Sequence, residues 1–313
     1  MERSRNRNLI IGILGAVTAY LVWGLQPIYW KALAQLDAWV VLAHRYCWTA
    51  VFLIVFIGLT GQFALLCETT RKLFQKKSKL LLLILISFIA LLNWWMTVFA
   101  PINGYVVELG IGQFLTPVMS VFLGVVFFRE YLSFMQKISM LLALVGIFIM
   151  LIHFGQFPWI ALGISSTWAA YGALKKKISL DPTIAIFLET IVVVPFAIVF
   201  LHATADSIFK VLETDLVLGL FLIGTGILTS APLIAYTYAT NCLPLSLLGF
   251  CQFISPMLTL CLGIFVYKEP FRINELLPLL FIWSSIVIFI LDPIRGKLIA
   301  KKKYISIPSK RAF

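Results

Sequence analysis

Charge is what this chain has least of: only 12% of its 313 residues are Asp, Glu, Lys or Arg, where soluble domains carry about a quarter. With 61% hydrophobic residues, that scarcity excludes a soluble globular domain and makes lipid the solvent. Catalytic signatures are missing as well. There is no H-E-x-x-H, no G-x-S-x-G and no Walker loop, and no aspartate lies deep in an apolar run, so neither a zinc or serine intramembrane enzyme nor an ATP-driven pump is written here. The five cysteines (Cys47, Cys67, Cys242, Cys251, Cys261) are odd in number, form no C-x-x-C pair and lie mostly in apolar surroundings. They give neither a disulfide framework nor a metal site, and no cofactor is expected.

What is present in quantity is long apolar sequence. Runs near 9–29, 39–59, 80–100, 105–128, 135–152, 158–174, 183–201, 216–240, 246–267 and 273–291 each have the length of a membrane-crossing helix or nearly so, which predicts an all-α membrane protein of ten transmembrane helices. Met1 to Asn8, with three arginines before the first run, imitates a signal peptide, but the length of that run and the nine that follow favour a first span. With the N-terminus placed inside, the cytoplasmic segments collect 20 of the 25 basic residues, so both termini are expected on the cytoplasmic side. The net charge of +12 is then explained by an anionic inner leaflet, and a nucleic-acid partner is not expected.

One segment occurs twice. Gln113 to Glu130 (QFLTPVMSVFLGVVFFRE) and Gln252 to Glu269 (QFISPMLTLCLGIFVYKE) share a pattern at an offset of 139 residues, and Ala100 with Ala239 and Gly110 with Gly249 keep the same offset. The copies fall in the fourth and ninth runs, so the repeating unit is five helices. A unit with an odd number of crossings enters the membrane from opposite sides in its two copies. Asp37 then matches Asp181, Arg45 matches Glu189, and Tyr20-x-x-Trp23-Gly24 matches Trp168-x-x-Tyr171-Gly172. Two inverted five-helix repeats are a device of secondary transporters, whose halves meet around a midplane site.

The stretch Ala19-Tyr20-Leu21-Val22-Trp23-Gly24-Leu25-Gln26-Pro27-Ile28-Tyr29-Trp30-Lys31, then Leu42-Ala43-His44-Arg45, Leu92-Asn93-Trp94 and Asn103-Gly104-Tyr105-Val106-Val107-Glu108, resembles the RarD (chloramphenicol-sensitivity protein) family of the EamA-type drug/metabolite transporter superfamily. Tyr171-Gly172, Leu188-Glu189-Thr190 and Ala231-Pro232-Leu233 in the second half are similar too, while Gln113-Phe114-Leu115-Thr116-Pro117 departs from the family's usual Tyr-Phe-Ile-Asn-Pro. The resemblance implies a first EamA-like repeat over residues 1–152, a second over 153–291 and a basic cytoplasmic tail over 292–313. It also implies a multi-pass protein of the bacterial inner membrane that exports or exchanges small organic molecules. The substrate, the coupling ion and the oligomeric state are left open, as is a receptor or scaffold that transports nothing.

Polar groups at membrane depth are the candidates for a substrate or ion pathway, because such groups are costly unless they face a partner or water. Arg45, six residues into its helix and roughly 9 Å deep, either snorkels outward or serves as an anion anchor or ion-pair gate. Glu108, at comparable depth, is its expected partner. Glu189 and Glu108 are either structural or proton-linked, Glu108 gating and Glu189 coupling to protons. His44 either bonds between helices or titrates. Asn93 is an interhelical amide or a substrate-facing one. Trp23, Trp168 and Tyr171 are candidates for an apolar cavity wall, whereas Trp30, Trp39 and Trp159 read as interfacial anchors. Pro117 and Pro256 each free the carbonyl four residues back, that of Gln113 and Gln252. Each proline marks either a simple kink or a hinge on which a half rocks.

Overall fold

The computed structural model describes residues 2–102, 105–154, 157–204, 208–266 and 276–305. Asn103, Gly104 and the end of the second copy, with Lys268, Glu269 and Arg272, lie outside the described residues. Thirteen α-helices are found among them: α1 (Glu2–Ala32), α2 (Ala38–Leu59), α3 (Phe63–Gln75), α4 (Lys77–Ile102), α5 (Val106–Phe128), α6 (Phe134–Phe154), α7 (Trp159–Ile178), α8 (Pro182–Thr204), α9 (Ile208–Thr214), α10 (Leu216–Cys242), α11 (Leu245–Cys251), α12 (Ile254–Cys261) and α13 (Leu276–Ile305).

Seven of these are long and apolar enough to cross a membrane: α1, α2, α4, α5, α6, α8 and α10, each over most of its length. The ten expected spans are therefore not all met. Helix α7 ends in Lys175, Lys176 and Lys177, which dilutes its hydropathy. The ninth expected span is split into α11 and α12. The apolar part of α13, Leu277–Phe289, is short, and the helix itself runs on to Ile305, into the stretch expected as a tail. A helix the composition did not announce, α3, leaves Phe63, Leu65 and Phe74 exposed beside the ion pair of Lys72 with Glu68. Apolar and charged surface on one short helix suits the membrane interface rather than its interior.

Local chemistry explains where the helices begin. Asp37 accepts from the Trp39 amide at 2.8 Å to open α2, Asp181 from Thr183 at 3.0 Å to open α8, and Asp215 from Leu218 at 2.9 Å to open α10. Each carboxylate meets amides that have no partner in a first helical turn. Asp37 and Asp181, matched in sequence across the two halves, thus perform the same task.

The first-half helices pack chiefly on those of the second half: α1 on α10 and α12, α2 on α8 and α10, α4 on α7, α5 on α7 and α11, α6 on α13. In lipid, small residues permit that closeness. A Cβ at Gly15 would stand 2.9 Å from the Ala235 carbonyl, and one at Gly24 would stand 2.7 Å from the Leu258 Cβ. Ala16 and Ala19 of the same helix are buried as well, and Gly12 lies against Cys242 and Leu243.

The doubled segment takes two forms. Around Pro117, α5 is one continuous helix, with the Thr116 hydroxyl donating to the Gly112 carbonyl at 2.7 Å. Around Pro256 the chain breaks at Gln252 and Phe253 and ends in a π-helical turn, Leu262–Val266. The carbonyl of Gln252, which Pro256 cannot serve, accepts from the Ser255 amide at 3.3 Å. A three-residue bond has replaced the lost four-residue one, and it tightens the chain enough to end α11.

Candidate functional site

Between the halves lies a cleft of about 770 Å³, whose lining includes Trp23, Gln26, Trp30, Arg45, Asn93, Trp94, Gln113 and Trp168. Its volume is in the range of pockets that enclose small organic molecules. It reaches Leu33, Ala34, Leu36 and Ala38, the turn from α1 to α2, at the end of α1 remote from the N-terminus. A second space of about 40 Å³ lies beyond it, lined by Tyr46, Thr49, Ser87, Tyr171, Glu189, Thr190 and Thr229 among others. Leu42, Arg45 and Trp94 line both spaces, so those three side chains form the partition between them.

Arg45 is 5% exposed. Its Nε donates to the Thr229 hydroxyl, its guanidinium carbon lies 3.4 Å from the centre of the Trp94 ring and 5.4 Å from that of Trp30, and its Nη2 has no hydrogen-bond partner among the described residues. Stacking on an indole face is a favourable place for guanidinium. The expected partnership with Glu108 is absent. Glu108 instead accepts from the Ile160 amide at 2.9 Å, capping the start of α7. Equal depth in the membrane says nothing of azimuth around a helix, and an unsatisfied amide of a first turn is as good a partner for a buried carboxylate as a cation. Trp30, expected as an interfacial anchor, faces the cleft.

Glu189 lies on the other side of the partition, paired with a residue the loop count had placed among cytoplasmic charges. Lys175 is 1% exposed. Its ammonium lies 2.9 and 3.1 Å from the two Glu189 oxygens and 3.0 Å from the Tyr171 hydroxyl, which itself donates to Glu189 at 3.0 Å. Tyr171 and Lys175 are one helical turn apart on α7, so the helix aims both at the same carboxylate. Glu189 is thus held by an ammonium and a phenol hydroxyl from one face of α7.

Asn93 both lines the cleft and joins helices: its Nδ2 donates to the Ile164 carbonyl and to the Thr167 hydroxyl, each at 2.9 Å. Trp23 and Trp168 touch edge to face at 5.3 Å. Each also lies 5.5 Å from Tyr236, with Tyr20 at 6.1 Å and Tyr171 at 6.2 Å from it. The aromatic pairs that the inverted register matched therefore meet in space, around a tyrosine of α10 that the sequence reading passed over. Its signal was only its place, three residues after Leu233 on an otherwise apolar helix. His44 and Gln252 are buried and line neither cavity; Gln252 accepts from Ser120 at 3.2 Å. Gln113 lines the cleft, so the two glutamines of the doubled segment occupy unlike places. Pro117 and Pro256 line neither cavity.

The opposite end of the molecule is shut. Glu130, just past α5, lies 2.7 Å from the Lys176 ammonium of α7 and accepts from the Leu245 and Ser246 amides that open α11. Lys176 also donates to the Leu243 carbonyl at 3.1 Å. A Cβ at Gly124 would lie 2.7 Å from Glu130 Oε2 and 3.2 Å from the Ser246 amide nitrogen, so only glycine leaves that carboxylate its seat. Burial works against ionisation of Glu130, but Lys176 and the Ser246 and Leu245 amides outweigh it and hold the carboxyl below the usual carboxylate range.

Cleft, partition and closed end together make a cavity accessible from one side, held between two interleaved sets of helices. The model of the EamA-like transporter family matches residues 10–152 and 158–291. The chain belongs to that family. It is 33% identical over 284 residues to the RarD protein of Escherichia coli K12, covering 90% of this chain and 95% of that protein. It is 31% identical over 290 residues to the uncharacterized transporter YojE of Bacillus subtilis, covering 93% and 97%. A crystal structure covering 91% of this chain and 98% of its own superposes with a TM-score of 0.66 at 15% identity, a likeness of fold. The RarD-type resemblance read from Trp23-Gly24 and Asn93-Trp94 is thus supported, and this EamA chain is a multi-pass membrane transporter of the drug/metabolite superfamily. Among the described residues no group of three His, Cys, Asp or Glu is placed to hold a metal ion.

Proposed function

We propose that the chain is a secondary transporter built as two inverted five-helix repeats, in which α7, the α11–α12 pair and α13 complete ten crossings. It carries a small amphipathic organic molecule out of a bacterial cell by alternating access. The observation that supports this most directly is the 770 Å³ cleft: it opens toward the α1–α2 turn, is walled by both halves and is shut beyond Arg45 and Trp94. By the distribution of basic residues the shut end is cytoplasmic, as are both termini. A gradient of protons or of potential supplies the drive. A proton-linked role for Glu189 is favoured by its place on the 40 Å³ space next to Arg45, where taking up a proton would release Lys175 and Tyr171.

The test is flux by the purified full-length chain in proteoliposomes under an imposed pH gradient, over a panel of amino acids, amphipathic drugs and organic acids. Saturable flux that rises with the gradient is expected. Flux indifferent to the gradient removes the proton, and flux of nothing on the panel leaves a receptor or scaffold as the better account. The prolines give a second expectation. Pro256→Ala restores the amide that α11 lacks and lets it run into α12, so transport should fall several-fold with expression unchanged, and Pro117→Ala, in a helix already continuous, should cost less. Equal, wild-type rates for both variants would make the doubled segment a record of ancestry only.

A further inference from the structure

We infer that the molecule carried is an organic monoanion, a carboxylate on an apolar or aromatic body, whose anionic end is held by Arg45 at the floor of the cleft. This deepens the transporter reading and rests on it. Two charged residues are seen to line the two cavities, Arg45 and Glu189, and only one of them is balanced. Glu189 is neutralised by Lys175 at 2.9 Å. Among the described residues Arg45 meets the Thr229 hydroxyl and two indole faces, and its Nη2 has no hydrogen-bond partner. A buried charge left in that state calls for a counter-charge, since hydroxyl and ring contacts offset only part of its lost hydration.

The lining of the cleft decides which kind of ligand supplies it. Among the described residues, no Asp or Glu lines the cleft and Arg45 is its one charged member. An organic cation would meet an unopposed positive charge, and a zwitterion would satisfy Arg45 while leaving its own ammonium without a carboxylate. A monoanion answers the site's charge one for one. Guanidinium offers parallel N–H donors, matched to the two oxygens of a carboxylate, whereas an ammonium would offer only a point charge. Trp23, Trp30, Trp94 and Trp168 supply apolar wall, while Gln26 and Asn93 donate to protein carbonyls, Leu228 at 3.2 Å and Ile164 at 2.9 Å. The body of the ligand is therefore read by area and ring contact, and its charged end by Arg45.

A direction of transport follows. The loaded site is electrically neutral and the empty one carries a single positive charge. One negative charge leaves the cell per cycle, so an inside-negative membrane potential, one of the two drives proposed above, favours export.

Binding to the detergent-solubilised full-length chain tests this by calorimetry, using shape-matched series that differ in charge: 3-phenylpropanoate, 3-phenylpropanamide and 3-phenylpropylammonium, and likewise 4-phenylbutanoate with its amide. The acids are expected to bind at least tenfold more tightly than their amides, and the ammonium not measurably. Arg45→Gln should remove the preference for acid over amide, and Arg45→Lys should keep part of it, each variant melting near the wild-type temperature. The wild-type series stands even if a variant misfolds. Equal binding of acid and amide, binding of the ammonium, an acid preference that survives in Arg45→Gln, or no binding of any acid would each overturn the inference. Because binding is read without flux, acids that bind but are not carried in vesicles would refute the transporter reading alone. Carriage of neutral compounds with no preference for acids would refute this inference alone.

Discussion

Replacing Lys175 with methionine is expected to destabilise the chain by about 3–5 kcal/mol, because the Glu189 carboxylate would be left buried with its countercharge gone. Lys175 and Glu189 have side chains 1% and 7% exposed, so water cannot take the place of the ammonium. The Tyr171 hydroxyl would stay, but one neutral donor does not balance a carboxylate at that burial. The double variant Lys175→Met/Glu189→Gln removes both charges and keeps an oxygen for Tyr171. It should recover most of the loss, since an intact buried pair contributes little net stability over a neutral replacement. Thermal melting of both proteins in the same detergent measures the difference. If the single variant melts with the wild type, or the double variant melts below the single, the pair is not what holds α7 to α8 there.

Glu130→Ala should loosen the closed end. Two amides of the first turn of α11 lose their acceptor and Lys176 loses its partner. These are charge-assisted contacts on a side chain 11% exposed, together worth on the order of 2 to 3 kcal/mol. Hydrogen exchange at Leu245 and Ser246, followed in peptides spanning the start of α11, is expected to quicken roughly 30- to 150-fold, with Glu130→Gln falling between. The pH dependence has a definite sign. The folded carboxyl titrates below the ordinary carboxylate range, so its contribution is complete above that range, constant through neutral pH, and lost only as pH falls through the lowered value. Protection at Leu245 and Ser246 that is the same in Glu130→Ala as in wild type would show that something else closes this end.

Much of this was legible in sequence, and the reasons for success and failure are physical. The repeat read in the sequence paired Tyr20 and Trp23 with Trp168 and Tyr171, and these rings do assemble, around Tyr236. The same register paired Arg45 with Glu189, and both border the 40 Å³ space. What failed was azimuth. Arg45 and Glu108 share a depth, but depth fixes only position along a helix, and Glu108 turned to the start of α7. Lys175 was hidden among three consecutive lysines, which look alike in a loop. On a helix they point some 100° apart, and the spacing from Tyr171 was the clue that Lys175 points inward. Glu130 was legible only as the last letter of a repeat. Its role depends on Leu245 and Ser246, more than a hundred residues away, and on Gly124 leaving room beside it. The split between α11 and α12 could not be read from Pro256, since Pro117 sits in an equivalent pattern within a continuous helix.

The rings around Tyr236 have an optical consequence. Trp23 of α1 and Trp168 of α7 stand 5.3 Å apart with their planes at 83°, close enough for their excited states to mix, and the two residues come from opposite halves of the chain. The protein therefore carries a chromophore pair across its own seam. Its near-ultraviolet circular dichroism should register any movement that draws α1 away from α7, with no label attached.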